Sequence, residues 1–330
     1  MIRYLTAGES HGPELSVIVD GMPAGIPIDG QAIDAELLRR QSGHGRGARS
    51  TKIERDHAEI TSGIAGGQTT GAPIALRIVN KDFANQPASR APLTAPRPGH
   101  ADLAGHLKYG HADLRTVRER ASARETAARV AAGALAKQLL QPFGTTVRSF
   151  VTAIGDVEVE CGPLGDLTAA RLHALADAAA RNDVRVPDED VAARMRAAID
   201  AAKSSLDTLG GIFVVFAAGV PAGLGTYGQW DRRLDGRLAA AMCSIHAVKG
   251  VEIGDAFAMA RRRGAAAQDP IVRDGAGLAR SANRAGGLEG GTTNGEPVVL
   301  RAAMKPLSSV RASVNTIDLA TGNPSDAPYV

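Results

Sequence analysis

The chain has 330 residues, with 38 Lys and Arg against 35 Asp and Glu, which gives a formal net charge of +3. Its 44% hydrophobic and 22% charged content is ordinary for a globular protein and excludes a disordered chain. The small net charge and the 3% aromatic content argue against nucleic-acid binding by base stacking. Two isolated cysteines, Cys161 and Cys243, exclude a disulfide scaffold and a zinc module and favour a reducing compartment.

The chain shows no targeting or membrane segment. Its N-terminus lacks the apolar core of a secretory signal. The longest apolar stretch, 211–224, is broken by Gly and Pro and is shorter than the roughly 20 residues of a membrane span. We therefore expect a cytoplasmic protein. No linker or repeat divides the sequence, so a single domain over residues 1–330 is predicted.

Strand and helix patterns follow each other irregularly along the chain. Strands are predicted at 15–19, 74–78, 147–154, 212–217 and 298–302. Helices are predicted near 33–38, 121–140, 167–175, 191–199 and 234–245, the last of these running toward Gly250. Because strict strand–helix–strand alternation is absent, the pattern favours an α+β fold over a doubly wound sheet.

A first candidate site lies in the turn Gly8–Gly12, directly before the first predicted strand. His11 stands there beside Ser10, and an imidazole can change its charge near neutral pH, as general acid chemistry requires. A turn histidine with one satisfied hydrogen bond is the alternative.

The second candidate is a basic, glycine-rich loop. Its cations are Arg39, Arg40, Arg46, Arg49 and Lys52. The planar guanidinium suits carboxylates and phosphates, and the order of residues excludes a nucleotide P-loop. A solvated loop or an RNA-contacting one remains open at this point.

Three further segments complete the set. The turn before His100 could hold that ring rigidly, whereas the spacing to His106 and His111 does not place three imidazoles on one helix face for a metal. Ser122 could cap the following helix together with Glu125, and such a helix start attracts anions, although a simple capped surface helix is the alternative. The glycine-rich stretch 286–295 could approach a flat ring closely, or form an ordinary hairpin loop.

Seven blocks together resemble the chorismate synthase family, in the family's order and over essentially the whole chain. They are GESHGPELSVIVDGMPAG, RRQSGHGRGARSTKIERD, RPGHADL, RASARETAARVAAGAL, SIHAVKGVEIGDAF, NRAGGLEGGTTNGEP and KPLSSV. The resemblance implies a lyase of the shikimate pathway that removes phosphate from 5-enolpyruvylshikimate-3-phosphate and needs reduced FMN. It also implies a β-α-β sandwich, with helices packed between antiparallel sheets, that assembles as a homotetramer.

The resemblance also implies roles for individual residues. His11 would protonate the departing phosphate, and His100 would protonate or stabilise the reduced flavin. Residues implied to contact the substrate, or NADPH as an indirect reductant, are Ser10, Arg40, Arg46 and Arg49. Residues implied to line FMN are Arg120, Ala121, Ser122, His246, Ala247, Gly290, Lys305, Pro306, Leu307, Ser308 and Ser309.

Two departures from the family pattern are visible. His246 stands where the family commonly has Asn. The sequence also stops at Val330, where the family continues into an Arg-Ser-Asp motif and a final helix, so an incomplete chain is expected. An NADPH-dependent flavin reductase and a non-enzymatic polyanion- or RNA-binding protein are the alternative functions.

Overall fold

The computed structural model describes residues 2–46, 55–86, 90–275 and 277–329. The chain forms two compact units. The first contains Met1–Leu139, Ser204–Asp207 and Ser308–Val330. The second contains Leu140–Lys203 and Thr208–Leu307. The single domain expected from the sequence stays a prediction.

Short strands and helices make up both units. The strands are β1 Arg3–Gly8, β2 Glu14–Asp20, β3 Glu59–Ser62, β4 Ile64–Ala65, β5 Gln68–Thr69, β6 Ile74–Val79, β7 Thr146–Ile154, β8 Val157–Glu158, β9 Gly211–Ala218, β10 Val248–Ile253, β11 Ile271–Asp274, β12 Gly277–Arg280, β13 Leu288–Glu289, β14 Thr292–Thr293, β15 Val298–Met304, β16 Asn315–Ile317 and β17 Pro324–Asp326. The helices are α1 Gly30–Gln41, α2 Asp102–Tyr109, α3 Arg115–Ala121, α4 Thr126–Leu140, α5 Ala169–Ala179, α6 Glu189–Ser204, α7 Leu234–Cys243, α8 Ala256–Met259 and α9 Gly264–Ala267.

A four-stranded sheet forms the base of the first unit, in the order β1-β2-β6-β3, with every neighbouring pair antiparallel. Apolar residues alternate along β2 and β6, so that one face of the sheet is buried and the other is not. The buried face packs with α1 and with the alanine-rich α4 in one core. Small alanine side chains let α4 lie close to the sheet, which fixes the position of the segment that precedes this helix.

A five-stranded antiparallel sheet forms the second unit, in the order β10-β15-β9-β7-β8. Helix α5 packs against β7, and α7 packs against β10. Phe150 and Phe216 are fully buried in the core between this sheet and α5. The continuous apolar run predicted as a buried strand is β9 at the middle of the sheet.

The structure confirms the α+β class and the five predicted strands, and it corrects two helices. The segment predicted as one helix from 121 to 140 is interrupted at Ser122, which is extended, and by the 3₁₀ turn Ala123–Glu125. The helix predicted to run past 243 ends at Cys243 with Ser244 as its C-cap, and β10 begins at Val248. Ala247, just before that strand, takes a left-handed backbone conformation with φ of 67°.

Within the described ranges, no helix has the length and apolar character needed to cross a lipid bilayer.

Candidate functional site

Helix α3 of the first unit lies against both histidines that the sequence singles out. Its consecutive residues Arg118, Glu119 and Arg120 have different neighbours because successive side chains on a helix point about 100° apart. Glu119 contacts His11, and Arg118 lies near the carboxylate that contacts His100. Arg120 donates to strand β1. One short helix therefore contributes a neighbour to each of these parts of the candidate site.

His11 is bound by Glu119 through both its backbone and its ring. The backbone N–H donates to Glu119 Oε2 at 2.7 Å, and ring Nδ1 lies 2.9 Å from Oε1 and 3.1 Å from Oε2. Burial opposes ionisation of this carboxyl, but the hydrogen bonds from His11 outweigh it and hold the pKa of Glu119 below its ordinary value. His11 thus faces an ionised carboxylate.

A chain of buried polar groups holds the turn that carries His11. Asn80 donates to the carbonyls of Glu9 at 3.1 Å and of Gly12 at 2.7 Å. The Arg124 Nε group donates to the Asn80 side chain at 2.9 Å, and its Nη1 donates to Asp56 Oδ2 at 2.6 Å. Because such a buried chain is costly to break, the turn is held in place before any ligand binds.

The same turn is joined to the start of the 3₁₀ segment and α4. The Ser122 hydroxyl donates to the Ser10 hydroxyl at 3.1 Å and accepts the Arg124 backbone N–H at 3.2 Å. Gly8, with φ of 100°, lets β1 and β2 close around this turn, because a Cβ there would lie 2.4 Å from the Glu14 carbonyl oxygen. The structure thus joins the turn of Ser10 and His11 to Ser122, and the ligand contacts that the resemblance implies for them stay predictions.

His100 has its own carboxylate partner two residues along the chain. Its Nδ1 lies 2.6 Å from Asp102 Oδ1, and Asp102 Oδ2 accepts the Arg97 backbone N–H at 3.0 Å and Nε at 2.9 Å. Asp102 is fully buried. Burial alone would raise the pKa of this carboxyl, but the hydrogen bonds from His100 and Arg97 hold it well below its ordinary value. A permanent charge therefore lies beside the His100 ring.

The segment 308–309 meets this second histidine. The Ser308 hydroxyl donates to the Gly99 carbonyl at 2.8 Å, and Arg97 Nη1 donates to the Ser309 hydroxyl. The structure thus brings both predicted serines to the turn that precedes His100. Their predicted contact with FMN stays a prediction.

Arg118 is a buried cation between the two histidine pairs. It is 6% exposed, and its three guanidinium nitrogens have no hydrogen-bond partner among the described residues. Its Nε lies 3.9 Å from Asp102 Oδ2. Burial and the neighbouring Arg97 charge lower the pKa of Arg118 to about 10. Neither the pattern of the sequence nor its motifs pointed to this residue.

The predicted anion-binding arginines have different surroundings. Arg40 donates through Nε to the Thr126 hydroxyl and through Nη2 to the Ala123 carbonyl, each at 2.9 Å. Arg46 is exposed. Arg49 lies outside the described residues. Arg40 is therefore held at the start of α4, beside the turn of His11. Arg46 keeps exposed surface, but partial burial of its guanidinium lowers its pKa from the ordinary value.

Arg120 connects α3 to strand β1. Its Nη2 donates to the Thr6 carbonyl at 2.9 Å and to the Thr6 hydroxyl at 2.8 Å, although 45% of its side chain is exposed. Ala121 ends α3 beside it. These two residues and Ser122 combine a partly exposed cation, a small side chain and a hydroxyl, which are chemically suited to an anionic flavin.

In the second unit, two of the predicted flavin segments are joined. The Lys305 backbone N–H donates to the Ala247 carbonyl at 2.9 Å, which ties the turn at His246 to the segment Lys305–Leu307. Leu307 and Pro306 are exposed, and so is Gly290. A cation followed by two exposed apolar residues again suits a flavin, so the segment Lys305–Leu307 fits the group as well.

No group of three or more His, Cys, Asp or Glu side chains is placed to hold a metal ion in the described part of the chain. His106, one of the three histidines considered for a metal, lies instead with Nδ1 2.7 Å from the His111 carbonyl oxygen.

Sequence reasoning missed the carboxylates that hold the two histidines. Asp102 had a local signal, since it follows His100 by two residues at the start of α2. Glu119 had none, because 108 residues separate it from His11. Only the fold brings that pair together.

Known proteins resemble this chain over almost its entire length. Residues 2–329 match the profile of one family, described as chorismate synthase. A chorismate synthase of Rubrobacter xylanophilus is 54% identical, over 98% of this chain and 83% of that protein. One of Symbiobacterium thermophilum is 53% identical, over 97% and 84% respectively. A solved structure described as a crystal structure of chorismate synthase aligns with a TM-score of 0.82 at 45% identity, covering 92% of this chain and 85% of that one.

Proposed function

The chain belongs to the chorismate synthase family, and from that premise we propose how its own residues carry out the reaction. As a member of the family it is a lyase of the shikimate pathway. The substrate in this proposal is 5-enolpyruvylshikimate-3-phosphate. Phosphate and a ring proton leave it, anti across a 1,4 system, and chorismate forms.

His11 is the acid that assists the departing phosphate. The observation that carries this assignment is the contact of ring Nδ1 with the Glu119 carboxylate, at 2.9 Å. Because Nδ1 is occupied in this way, Nε2 is the atom from which a proton can be donated. When the carbon–oxygen bond breaks, its electron pair leaves with the phosphate oxygen, and the Nε2 proton neutralises the charge that develops there.

His100 holds a proton at Nε2 for the reduced flavin. Its Nδ1 is engaged by Asp102, so the other nitrogen is the one available to a ligand. A reduced flavin bound here would supply an electron-rich, anionic ring, and His100 would stabilise that charge as a rigidly held donor. Asp102 supplies the rigidity because the carboxylate is itself fixed by Arg97.

Each of the two units contains residues that we assign to flavin binding. In the first unit they are Arg120, Ala121, Ser122, Ser308 and Ser309. In the second unit they are His246, Ala247, Gly290, Lys305, Pro306 and Leu307. The partly exposed cation in each set supports the proposal, since an anionic ring and a phosphate tail need positive partners.

Ser10 and the arginines of the basic loop bind the substrate, which carries two carboxylates and a phosphate. Arg46 keeps exposed surface although burial lowers the pKa of its guanidinium, and Arg40 lies at the start of α4 with its guanidinium already hydrogen-bonded. Arg49 is assigned by resemblance alone. NADPH enters only as an indirect reductant of the flavin.

The test is phosphate release under anaerobic conditions with reduced FMN, oxidised FMN or no flavin. Turnover with reduced FMN alone is expected, together with stoichiometric chorismate. Equal turnover in all three conditions would refute the cofactor assignment. Oxidation of NADPH by protein and FMN alone would instead support the flavin reductase alternative, and strongly salt-dependent RNA binding would support the non-enzymatic one.

A homotetramer is also part of the proposal. The open face of the first unit's sheet exposes Leu5, which is 71% exposed, and Ile18, which is 46% exposed and pairs with it across β1 and β2. An exposed apolar sheet face commonly marks an interface between subunits. A mass four times that of the chain in sedimentation is expected, and a monomer at micromolar concentration would contradict this.

A further inference from the structure

We propose that Glu119 is a positioning residue for His11, which fixes the imidazole proton on Nδ1 and makes Nε2 the atom that delivers a proton to the leaving phosphate. The proposal rests on the proposed function, in which His11 is the acid. It assigns to the chain a carboxylate–histidine pair whose partner comes from a helix distant in sequence.

The geometry requires the proton to be on Nδ1. An ionised carboxylate only accepts hydrogen bonds, and Nδ1 lies 2.9 Å from Oε1 and 3.1 Å from Oε2. The nitrogen must therefore donate. Glu119 Oε2 also accepts the His11 backbone N–H at 2.7 Å, and the Glu119 carbonyl accepts the Ser10 backbone N–H at 3.1 Å. The side-chain contacts hold the carboxylate against the ring, and the backbone contact from Ser10 holds the turn against α3.

The charges around Glu119 keep it ionised. Besides His11, the cations Arg90 and Arg118 face this carboxylate, and the pKa of Glu119 lies below its ordinary value. The pair is also partly shielded from water, because the Glu119 side chain is 16% exposed and that of His11 is 29% exposed. A fixed negative charge in such surroundings stabilises the imidazolium more than it would in water.

The proton balance of the step follows from this arrangement. The imidazolium carries protons on both nitrogens before reaction. The Nε2 proton passes to the phosphate oxygen as the carbon–oxygen bond breaks and its electron pair leaves with that oxygen. The ring is left neutral with its remaining proton on Nδ1, donated to Glu119. No rotation of the ring and no change of tautomer is needed to return to the starting state.

Glu119→Gln separates this role from a purely structural one. The amide carbonyl can still accept the His11 backbone N–H, so the turn keeps its anchor. The amide NH₂ takes the Oε1 position, 2.9 Å from Nδ1, where it can only donate, and this favours Nδ1 as an acceptor over its longer contact of 3.1 Å with the retained carbonyl. The neutral ring then favours its proton on Nε2, and the negative charge beside the ring is gone.

Nitrogen-15 spectra of the FMN-bound protein labelled at histidine read the tautomer directly. The chain has 8 histidines, and the His11 signals are identified by their loss in His11→Ala. We expect neutral His11 to carry its proton on Nδ1 in the wild type and on Nε2 in Glu119→Gln. A wild-type ring with its proton on Nε2 would overturn the proposal without any reference to the variant.

Turnover provides the second test. Glu119→Gln is expected to lower kcat by roughly 10- to 100-fold, with the KM for substrate within about twofold of wild type. The matched control is Glu252→Gln in the second unit, where a buried carboxylate also accepts a backbone N–H, from Phe257 at 2.9 Å, and a guanidinium N–H, from Arg301 at 2.7 Å. Its kcat should stay at the wild-type value.

The variants also separate this inference from the proposed function. If His11→Ala keeps full turnover, His11 is not the acid and the proposed function fails at that residue. If His11→Ala loses turnover while Glu119→Gln keeps the wild-type kcat and tautomer, only the role of Glu119 is refuted. In the double variant, adding Glu119→Gln to His11→Ala should cause no further loss of kcat, and an additive loss would show that Glu119 acts elsewhere.

Discussion

Asp102→Asn removes the negative charge that lies beside the His100 ring. The carboxylate is fully buried and accepts hydrogen bonds from His100 and from three nitrogens of Arg97. Arg118 lies 3.9 Å from the same carboxylate. Asparagine has nearly the same shape, so the change tests the charge rather than the packing.

The expected cost is large because two buried cations lose their counter-charge. Breaking a buried ion pair by removing one partner costs about 3–5 kcal/mol, since the remaining charge is left uncompensated. Arg97 is 7% exposed and Arg118 is 6% exposed, so water cannot take over the role of the carboxylate. We therefore expect Asp102→Asn to lower the free energy of unfolding at pH 7 by about 3–5 kcal/mol.

The stability lost in Asp102→Asn should be larger at neutral pH than at acidic pH. The pKa of Asp102 is lowered in the folded protein, so its stabilisation is fully present above the pKa of an unfolded aspartate, about 3.9. It is lost as the pH falls below that value and the folded carboxyl takes up a proton. The difference between wild type and Asp102→Asn should therefore be largest near neutral pH and should shrink below about pH 4.

Urea unfolding at pH 7 and at a series of lower pH values measures both effects. The matched control is Asp34→Asn, because Asp34 Oδ2 also lies 2.6 Å from a histidine Nδ1, that of His57, but the His57 side chain is 72% exposed. An exposed ion pair of this kind stabilises the folded state by about 0–1 kcal/mol. If the two variants lose equal stability at pH 7, or if the loss in Asp102→Asn does not depend on pH, the account of the buried charge is wrong.

Three further predictions concern the site and its support. His100→Ala should lower kcat with reduced FMN by roughly 10²–10⁴-fold while the protein still folds. A near-normal kcat would show that His100 has only a structural role. Arg46→Ala should weaken substrate binding by about 1–3 kcal/mol and FMN binding by less, as calorimetric titration would show; unchanged substrate affinity would remove Arg46 from the site. Gly8→Ala should destabilise the first unit by more than Gly67→Ala, because a Cβ at Gly67, also at positive φ, meets no atom within 4 Å. Equal unfolding midpoints of these two variants would contradict the steric argument.

Strands and helices with a regular spacing of apolar residues could be predicted from the sequence, because that spacing depends only on residues close together in the chain. The alternation along β2 and the helical spacing in α1 follow directly from which side chains face the core. Strand β1 was not predicted, because its residues are mostly exposed on both faces and show no alternation. The cap at Ser122 could be predicted from its spacing to Glu125, and its hydroxyl does accept the Arg124 backbone N–H, but the 3₁₀ turn Ala123–Glu125 before α4 was not predicted.

Some residues of the candidate site could likewise be predicted from the sequence, and others could not. His11 and His100 could be selected from the sequence because each stands in a glycine-containing turn, and the resemblance to a family supplied their roles. The groups that orient them depend on the fold. Glu119 reaches His11 only because α3 packs beside the first turn, and no spacing in the sequence indicates that contact.

The central claim is that His11 delivers the proton to the departing phosphate. The most direct measurement is a single-turnover, anaerobic rate of phosphate release from 5-enolpyruvylshikimate-3-phosphate, with wild type and His11→Ala both saturated with substrate and reduced FMN. Saturation removes differences in binding, so the rate constant reports the chemical step. The account predicts release that is slower in His11→Ala by roughly 10²–10⁴-fold. Equal rate constants in the two proteins would contradict it and would show that another group, or water, protonates the phosphate.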